Sequence, residues 1–324
     1  MPMMRMQILL VAVLTFAGAA PSQAQRGPYP SAPVKIVVGF PPGGGVDVVA
    51  RVIAQKMAGV WGQQVVVENR PGAASILATR LVAAAPPDGY TILINSNTMV
   101  VNQVANPNAG YDIERQLIPV LNVAWQPNII VVAPALPVTS LGDVIALART
   151  RKLSYGTPGQ GSIPHLAGAY LFNILAKTEV VHVPYAGAVP ALTATMSGQI
   201  ELASLTLPPA VPHVRAGKVK GIAVTSAKRA STLPDVATVA ESGFPGYEFN
   251  VFSAFFMPTG TPKAAVDRFY EAVLKVMAMP DIKEQLATLG FEPADTSGDE
   301  FRRLVPEEIR KWDKVREATN FKLE

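Results

Sequence analysis

The stretch "VKIVVGFPPGGGVDVVAR", residues 34–51, joins three local signals in one line. Its β-branched opening, 34–40, ends in Gly and Pro and reads as a buried strand. Three consecutive glycines follow, Gly43, Gly44 and Gly45, which suit a tight turn and weaken any regular element. Beyond them Val49, Val52, Ile53 and Met57 recur at helical spacing, so a helix is predicted from about 46 to 58. Strand, glycine turn and helix in that order open a βαβ unit.

Outward from there the alternation continues. "QQVVVENR" (63–70) and "TILINSN" (91–97) read as strands, an Ala-rich helix spans about 74–84, and "PPDGY" (86–90) is a turn. The pattern breaks, then resumes with a strand "NIIVVAP" (128–134) and a helix 140–150, with Ser140 as N-cap and Asp143 at the capping-box position. "LSYGTPGQGS" (153–162) is a short strand entering a second glycine-rich loop before a helix at about 165–177. Strands at 179–185, 200–206 and 220–226 and a helix near 188–197 complete a second block. A strand "FNVFSAFFMP" (249–258) precedes helices near 262–279, 281–289 and 298–318. The expected fold is therefore α/β: two domains, each a mainly parallel sheet flanked by helices. Apolar strands near 120–132 and 247–257 are the candidate crossings. Residues 25–122 with 247–324 would form one discontinuous domain, and 123–246 the other.

At 324 residues with 49% hydrophobic and 16% charged content, the chain can bury a substantial core. Residues 1–24 have the order of a cleaved secretory signal: Arg5, an apolar run 8–20, then Ser22-Gln23-Ala24. The absence of cysteine fits export, because no thiol can mispair in an oxidising compartment. A net charge of +4 without a dense basic run gives nucleic-acid binding no support.

The first glycine loop fails the P-loop template, which needs Gly-Lys-Ser/Thr where Val46-Asp47 stand. It matches a dinucleotide fingerprint only in part, since Val48 occupies the third glycine position. What survives is a glycine-rich turn at a helix N-terminus, whose unpaired backbone N–H groups and dipole hold an oxyanion without a cationic side chain. Lys and Arg are absent from 36–50 and from 153–176. Two such loops facing across a cleft would hold the two ends of a small dicarboxylate. Asp47 would either bind a ligand amine or hydroxyl or favour the first helical turn.

Nothing in the sequence requires a metal or cofactor. The three histidines, His165, His182 and His213, lack metal-ligand spacing, and no G-x-S-x-G elbow exposes a serine. Ser162 with His165 lacks an orienting acid. Trp61, Trp125 and Trp312 read as packing anchors, with Trp125 placed to border the cleft. An exported hydrolase of small esters is the alternative function.

Several blocks, "YPSAPVKIVVGFPPGGGVDVVAR", "VVVENRPGA", "PPDGY", "HVPYAGAVPAL", "AGKVKGIAVTSAKR", "LPDVATVAESGFPGY" and "PTGTPKAAVDR", resemble the periplasmic receptors of tripartite tricarboxylate transporters, the Bordetella uptake gene (Bug) family. The resemblance implies a two-domain, type II-like Venus flytrap that is not an enzyme. Such a protein is a periplasmic monomer that closes around a small carboxylate and delivers it to a membrane permease. It also implies ligand contacts from Phe40, Gly43, Gly44, Gly45 and Asp47 in the first loop, and from Thr157, Gly159, Gln160, Gly161 and Ser162 in the second. Asn95, Ser96, Asn97, His165, Tyr185, Ala186 and Thr206 would line the cleft beside them.

Departures from that family pattern all reduce polarity. Val46 stands where Thr or Ser is usual, Ala74-Ser75 where Gly-Gly is, Ala186 where Lys is frequent, and Leu205-Thr206 lack a common Asp or Asn. The expected ligand therefore has a larger apolar body than malate or citrate, such as an aromatic or longer-chain carboxylate.

Overall fold

The computed structural model describes residues 28–294 and 296–319; the expected signal peptide lies outside the described residues. The chain runs β1 (Val34–Val38), α1 (Gly45–Trp61), β2 (Val65–Asn69), α2 (Ile76–Ala83), β3 (Thr91–Asn95), α3 (Thr98–Ala105), the single turn α4 (Ile113–Gln116) and β4 (Leu117–Val132). It continues with α5 (Leu141–Thr150), β5 (Leu153–Thr157), α6 (Ile163–Ala169) extended by a π-helical stretch Tyr170–Leu175, β6 (Val180–Pro184) and α7 (Ala188–Met196). Then come β7 (Leu202–Thr206), α8 (Leu207–Arg215), β8 (Lys220–Val224), β9 (Asn250–Pro258), α9 (Lys263–Met277), α10 (Pro280–Thr288), β10 (Glu292–Pro293) and α11 (Gly298–Thr319).

β1 lies between β2 and β3 in parallel register, and β9 joins β3 antiparallel. In the second sheet β5 pairs β6 and β7 in parallel, while β7 and β8 flank β4 antiparallel. Because side chains alternate along a strand, each sheet feeds two cores. Ile36 and Ile92 pack under α1 while Val37 and Leu93 face α3. In the second sheet Ile130 and Val132 take one face, Ile129 and Val131 the other. The fold is a two-lobed α/β structure with a parallel three-stranded unit in each sheet, as the alternation of elements implied.

β4 joins the lobes. Its residues from Leu117 to Pro127 pair with β9, and those from Asn128 onward pair with β7 and β8. The chain returns beside it, where Phe249 N–H bonds Thr225 O at 3.0 Å and Asn128 N–H bonds Thr225 Oγ1 at 2.8 Å. β4 matches the crossing strand expected near 120–132, of which the strand read at 128–134 is the second half; Pro119 falls at a register shift and Pro127 at the crossing. α3 and α8 are helices that periodicity did not reveal. In α8, Pro208 and Pro209 occupy the first turn, where no N–H is needed, although Pro212 lies inside the helix.

Candidate functional site

β1, β3, β5, β6 and β7 each deliver the chain, at their carboxyl ends, to the start of a helix: α1, α3, α6, α7 and α8. Residues from these five starts line one inner cavity of about 40 Å³ between the lobes: Gly44 and Gly45, Ser96 and Thr98, Ser162 and Pro164, Ala188 and Val189, and Thr206. This is the crevice in which open α/β sheets bind ligands. An outer cavity of about 420 Å³ adjoins it, walled by residues 71–76, Gly159, Gln160, Tyr185 and Ala186. Phe40, Pro41 and Pro158 border both, and neither has a charged lining residue.

The lobes are closed on one another. A Cβ on Gly187 would lie 2.9 Å from Pro41 Cγ, and one on Gly43 would lie 3.1 Å from Val189 Cγ2. Farther out, Gly159 faces Ala74, and Ile163 N–H donates to Thr98 Oγ1 at 3.4 Å. The outer wall contains three successive left-handed residues, Ala73, Ala74 and Ser75, with φ of 46°, 47° and 76°. Glycines at 74 and 75 would relax that turn.

In the first loop, Gly44 caps α1 without a side chain. The N–H groups of Gly45, Val46 and Asp47 have no intrahelical acceptor, and Gly45 and Val46 line the inner cavity at this positive end of the dipole. The carboxylate of Asp47, 2% exposed, turns back into the loop. It accepts from Gly43 N–H at 2.9 Å, Asn69 Nδ2 at 2.7 Å and Arg51 Nε at 3.0 Å. Asp47 therefore pins the loop rather than lining the cleft, and it occupies the nearest guanidinium.

The second loop differs from its sequence reading. Ile163 N–H is taken by Thr98, Pro164 has none, and His165 N–H goes to Ser162 Oγ at 3.4 Å. Gly161 N–H donates to His165 Nδ1 at 3.1 Å, and Gly159 N–H to Thr157 Oγ1 at 3.3 Å. The start of α6 is thus largely self-satisfied in the closed form. His165 stacks on His182 with centroids 3.9 Å apart, and Thr157 Oγ1 lies 2.7 Å from His182 Nε2. Burial, with the neighbouring His182 adding, pushes His165 down to about 3; burial pushes His182 down to about 4. Both rings are neutral near pH 7, as the Gly161 bond to Nδ1 requires of His165. The Ser162 hydroxyl donates to Gly159 O at 2.7 Å, so it is not held by a base as a nucleophile would be.

The open counterpart of α1 is α7. Gly187 caps it without a side chain, Pro190 removes one donor, and the N–H groups of Ala188 and Val189 front the inner cavity. The Gly187–Pro41 and Gly43–Val189 contacts bring the two helix starts face to face. The helix itself was read at 188–197; what the sequence reading did not assign to it is this open start, for which "AGAVP" carries the signal: a glycine, two small apolar residues and an early proline.

Of the residues expected at the site, Phe40, Gly44, Gly45, Ser96, Ser162 and Thr206 line the inner cavity. Phe40, Gly159, Gln160, Tyr185 and Ala186 line the outer one. Gly43, Asp47, Thr157, Gly161 and His165 line neither, because their polar groups are spent on holding the two loops. Asn95 bonds Ser75 and Thr79 inside the first lobe. Asn97, the N-cap of α3, and Trp125 on β4 line a separate groove instead. Among the described residues no three metal-ligating side chains gather, and no helix is long and apolar enough to cross a membrane.

The family model described as tripartite tricarboxylate transporter family receptor matches residues 49–321. Protein BugT of Bordetella pertussis is 30% identical over 328 residues, covering 100% of both chains. Among solved structures, Rpa4515 of R. palustris with adipate superposes with a TM-score of 0.87 at 34% identity, covering 91% of this chain and 99% of that one. MatC of Rhodopseudomonas palustris with bound malate gives 0.83 at 31% identity, covering 89% and 99%. The chain therefore belongs to the tripartite tricarboxylate transporter receptor family, the solute-binding Bug proteins.

Proposed function

We propose that this protein is an exported receptor that encloses a small carboxylate between its lobes and presents the closed form to a membrane permease. The observation that carries the reading is the pair of uncapped helix starts, α1 and α7, facing each other across a cavity with no charged lining. Backbone N–H groups and dipoles there favour an oxyanion. One carboxylate enters the inner cavity, and the body of the ligand lies outward among Phe40, Pro41, Pro158 and Tyr185. Those apolar walls favour an aromatic or six-carbon acid over a compact hydroxy acid, and the adipate carried by one neighbour is of that kind. Ligand contacts in both lobes shift an open–closed equilibrium by their differential affinity, which the permease reads.

Cleavage after residue 24, a monomeric state and the division of the lobes into 25–122 with 247–324 and 123–246 belong to the same reading. Native and denatured mass measurements of protein recovered from the periplasm test the first two.

The functional test is a thermal-shift panel of adipate, terephthalate, benzoate, malate and citrate, followed by calorimetry with recovery of the ligand. A true ligand at about 100 times its Kd adds about 2.7 kcal/mol of stability. One equivalent of unaltered acid is expected back. Stabilisation by malate and citrate alone would remove the case for an apolar body. Turnover of any panel member, or of small esters, at catalytic protein concentration would replace the receptor with the hydrolase.

A further inference from the structure

The backbone layer that floors the inner cavity has a second face. Ser96 and Thr98 line the cavity while Asn97 faces away; Ser162 and Pro164 alternate with Ile163, and Val251 with Asn250. Behind this layer lies a groove of about 990 Å³ walled by both lobes. Trp125 comes from the half of β4 that pairs with β9, Trp312 from α11, Tyr170 from the π-helical stretch after α6, and Tyr247 and Phe249 from the segment that leads into β9.

Its chemistry is the opposite of the cleft's. Aromatic rings form a continuous wall: Tyr247 and Phe249 centroids are 5.1 Å apart, Phe249 and Trp312 6.4 Å. Three carboxylates, Glu248, Glu292 and Glu308, stand against one lysine, Lys311. Glu308 is committed to Lys311 Nζ and Trp312 Nε1, both at 3.1 Å. Glu248 accepts from Asn250 Nδ2 at 2.8 Å, and neither Glu248 nor Glu292 makes an ion pair among the described residues. At the floor Asn97, 4% exposed, donates through Nδ2 to Asn250 O, while its Oδ1 has no partner. The protein already sets one cation against this wall, with Lys311 Nζ 6.0 Å from the Trp312 centroid.

We propose that this groove is a second binding site, for an organic cation bearing N–H donors, a guanidinium or primary ammonium group. Two unpaired carboxylates supply acceptors, the ring faces supply the cation–π attraction, and the buried, unpartnered Asn97 Oδ1 adds the negative end of a dipole at the floor. An anion would meet like charge and unpartnered acceptors there.

The test is independent of the carboxylate cleft. Two of the three tryptophans, Trp125 and Trp312, lie in the groove, so intrinsic fluorescence reports on it. Ethylguanidinium chloride is titrated into the full mature chain, with sodium chloride at equal ionic strength as control. A saturable change is expected, at least about 10-fold weaker in Glu248→Gln/Glu292→Gln, whose exposed side chains leave the fold intact by circular dichroism. Tetramethylammonium, which has no N–H, is expected to bind more weakly than ethylguanidinium. A response that sodium chloride reproduces, equal affinity in the double variant, or equal affinity for the two cations overturns the proposal.

Discussion

Replacing Gly187 with alanine is expected to weaken ligand binding while sparing the unliganded fold. The new Cβ would stand 2.9 Å from Pro41 Cγ and 3.1 Å from Cδ. A pyrrolidine ring cannot swing aside as a flexible side chain does, so the first loop must retreat by several tenths of an ångström. Overpacking of this kind costs about 1–3 kcal/mol. The strain falls on the closed form alone, because Pro41 and Gly187 belong to different lobes and separate when the cleft opens. If the ligand binds by closing the lobes, its affinity drops about 5- to 150-fold. Calorimetry with whichever panel acid stabilises the wild type most gives the affinity; thermal unfolding without ligand gives the fold. An affinity kept within twofold, or a large fall in the unliganded Tm with binding intact, would refute closure through this contact.

Three further outcomes follow from the same geometry. Asp47→Ala strands the donors of Gly43, Asn69 and Arg51 and is expected to cost about 2–3 kcal/mol in urea unfolding, moderated because Arg51 can turn to water. Unchanged stability with lost affinity would instead make Asp47 a ligand contact. Gly45→Ala would put its Cβ 2.0 Å from Gln126 Oε1, a side chain with no room to move. The cost of about 1–3 kcal/mol is expected to be relieved in part by Gln126→Ala, so additive effects in a double-mutant cycle would contradict the clash. His165 and His182 are depressed to about 3 and about 4, so the unfolded chain binds more protons below its own value near 6.5. Their contribution is therefore complete above pH 6.5 and is lost as pH falls toward 4, by at most about 1.4 kcal/mol per pH unit for each ring. His182→Gln is expected to flatten urea-unfolding stability between pH 7 and 5; an equal slope in both proteins would exclude this linkage.

The alternation of strands and helices was legible because apolar periodicity is local: the run from Val34 to Val38 and the helix face of Val49, Ile53 and Met57 identify themselves within a few residues. The capping box at Ser140 and Asp143 was legible for the same reason and is present as read. β4 was harder, because a strand interrupted by two prolines and bulges keeps its pairing only where neighbours tolerate the missing donors. At the site, the glycine run before α1 marked its start as an anion site, whereas α7, read as a helix from 188, has no such run to mark its donors.

The sequence by itself determined the two-lobed α/β fold, the cation-free character of both glycine loops and the kinship with carboxylate receptors. Which backbone donors stay available was decided only in three dimensions. Ile163 N–H is spent on Thr98, 65 residues away, and Asp47 is drawn inward by Asn69, 22 residues away. A hydrogen bond depends on geometry at about 3 Å, and the partners that satisfy these loops are adjacent only after the sheets have brought distant strand ends together.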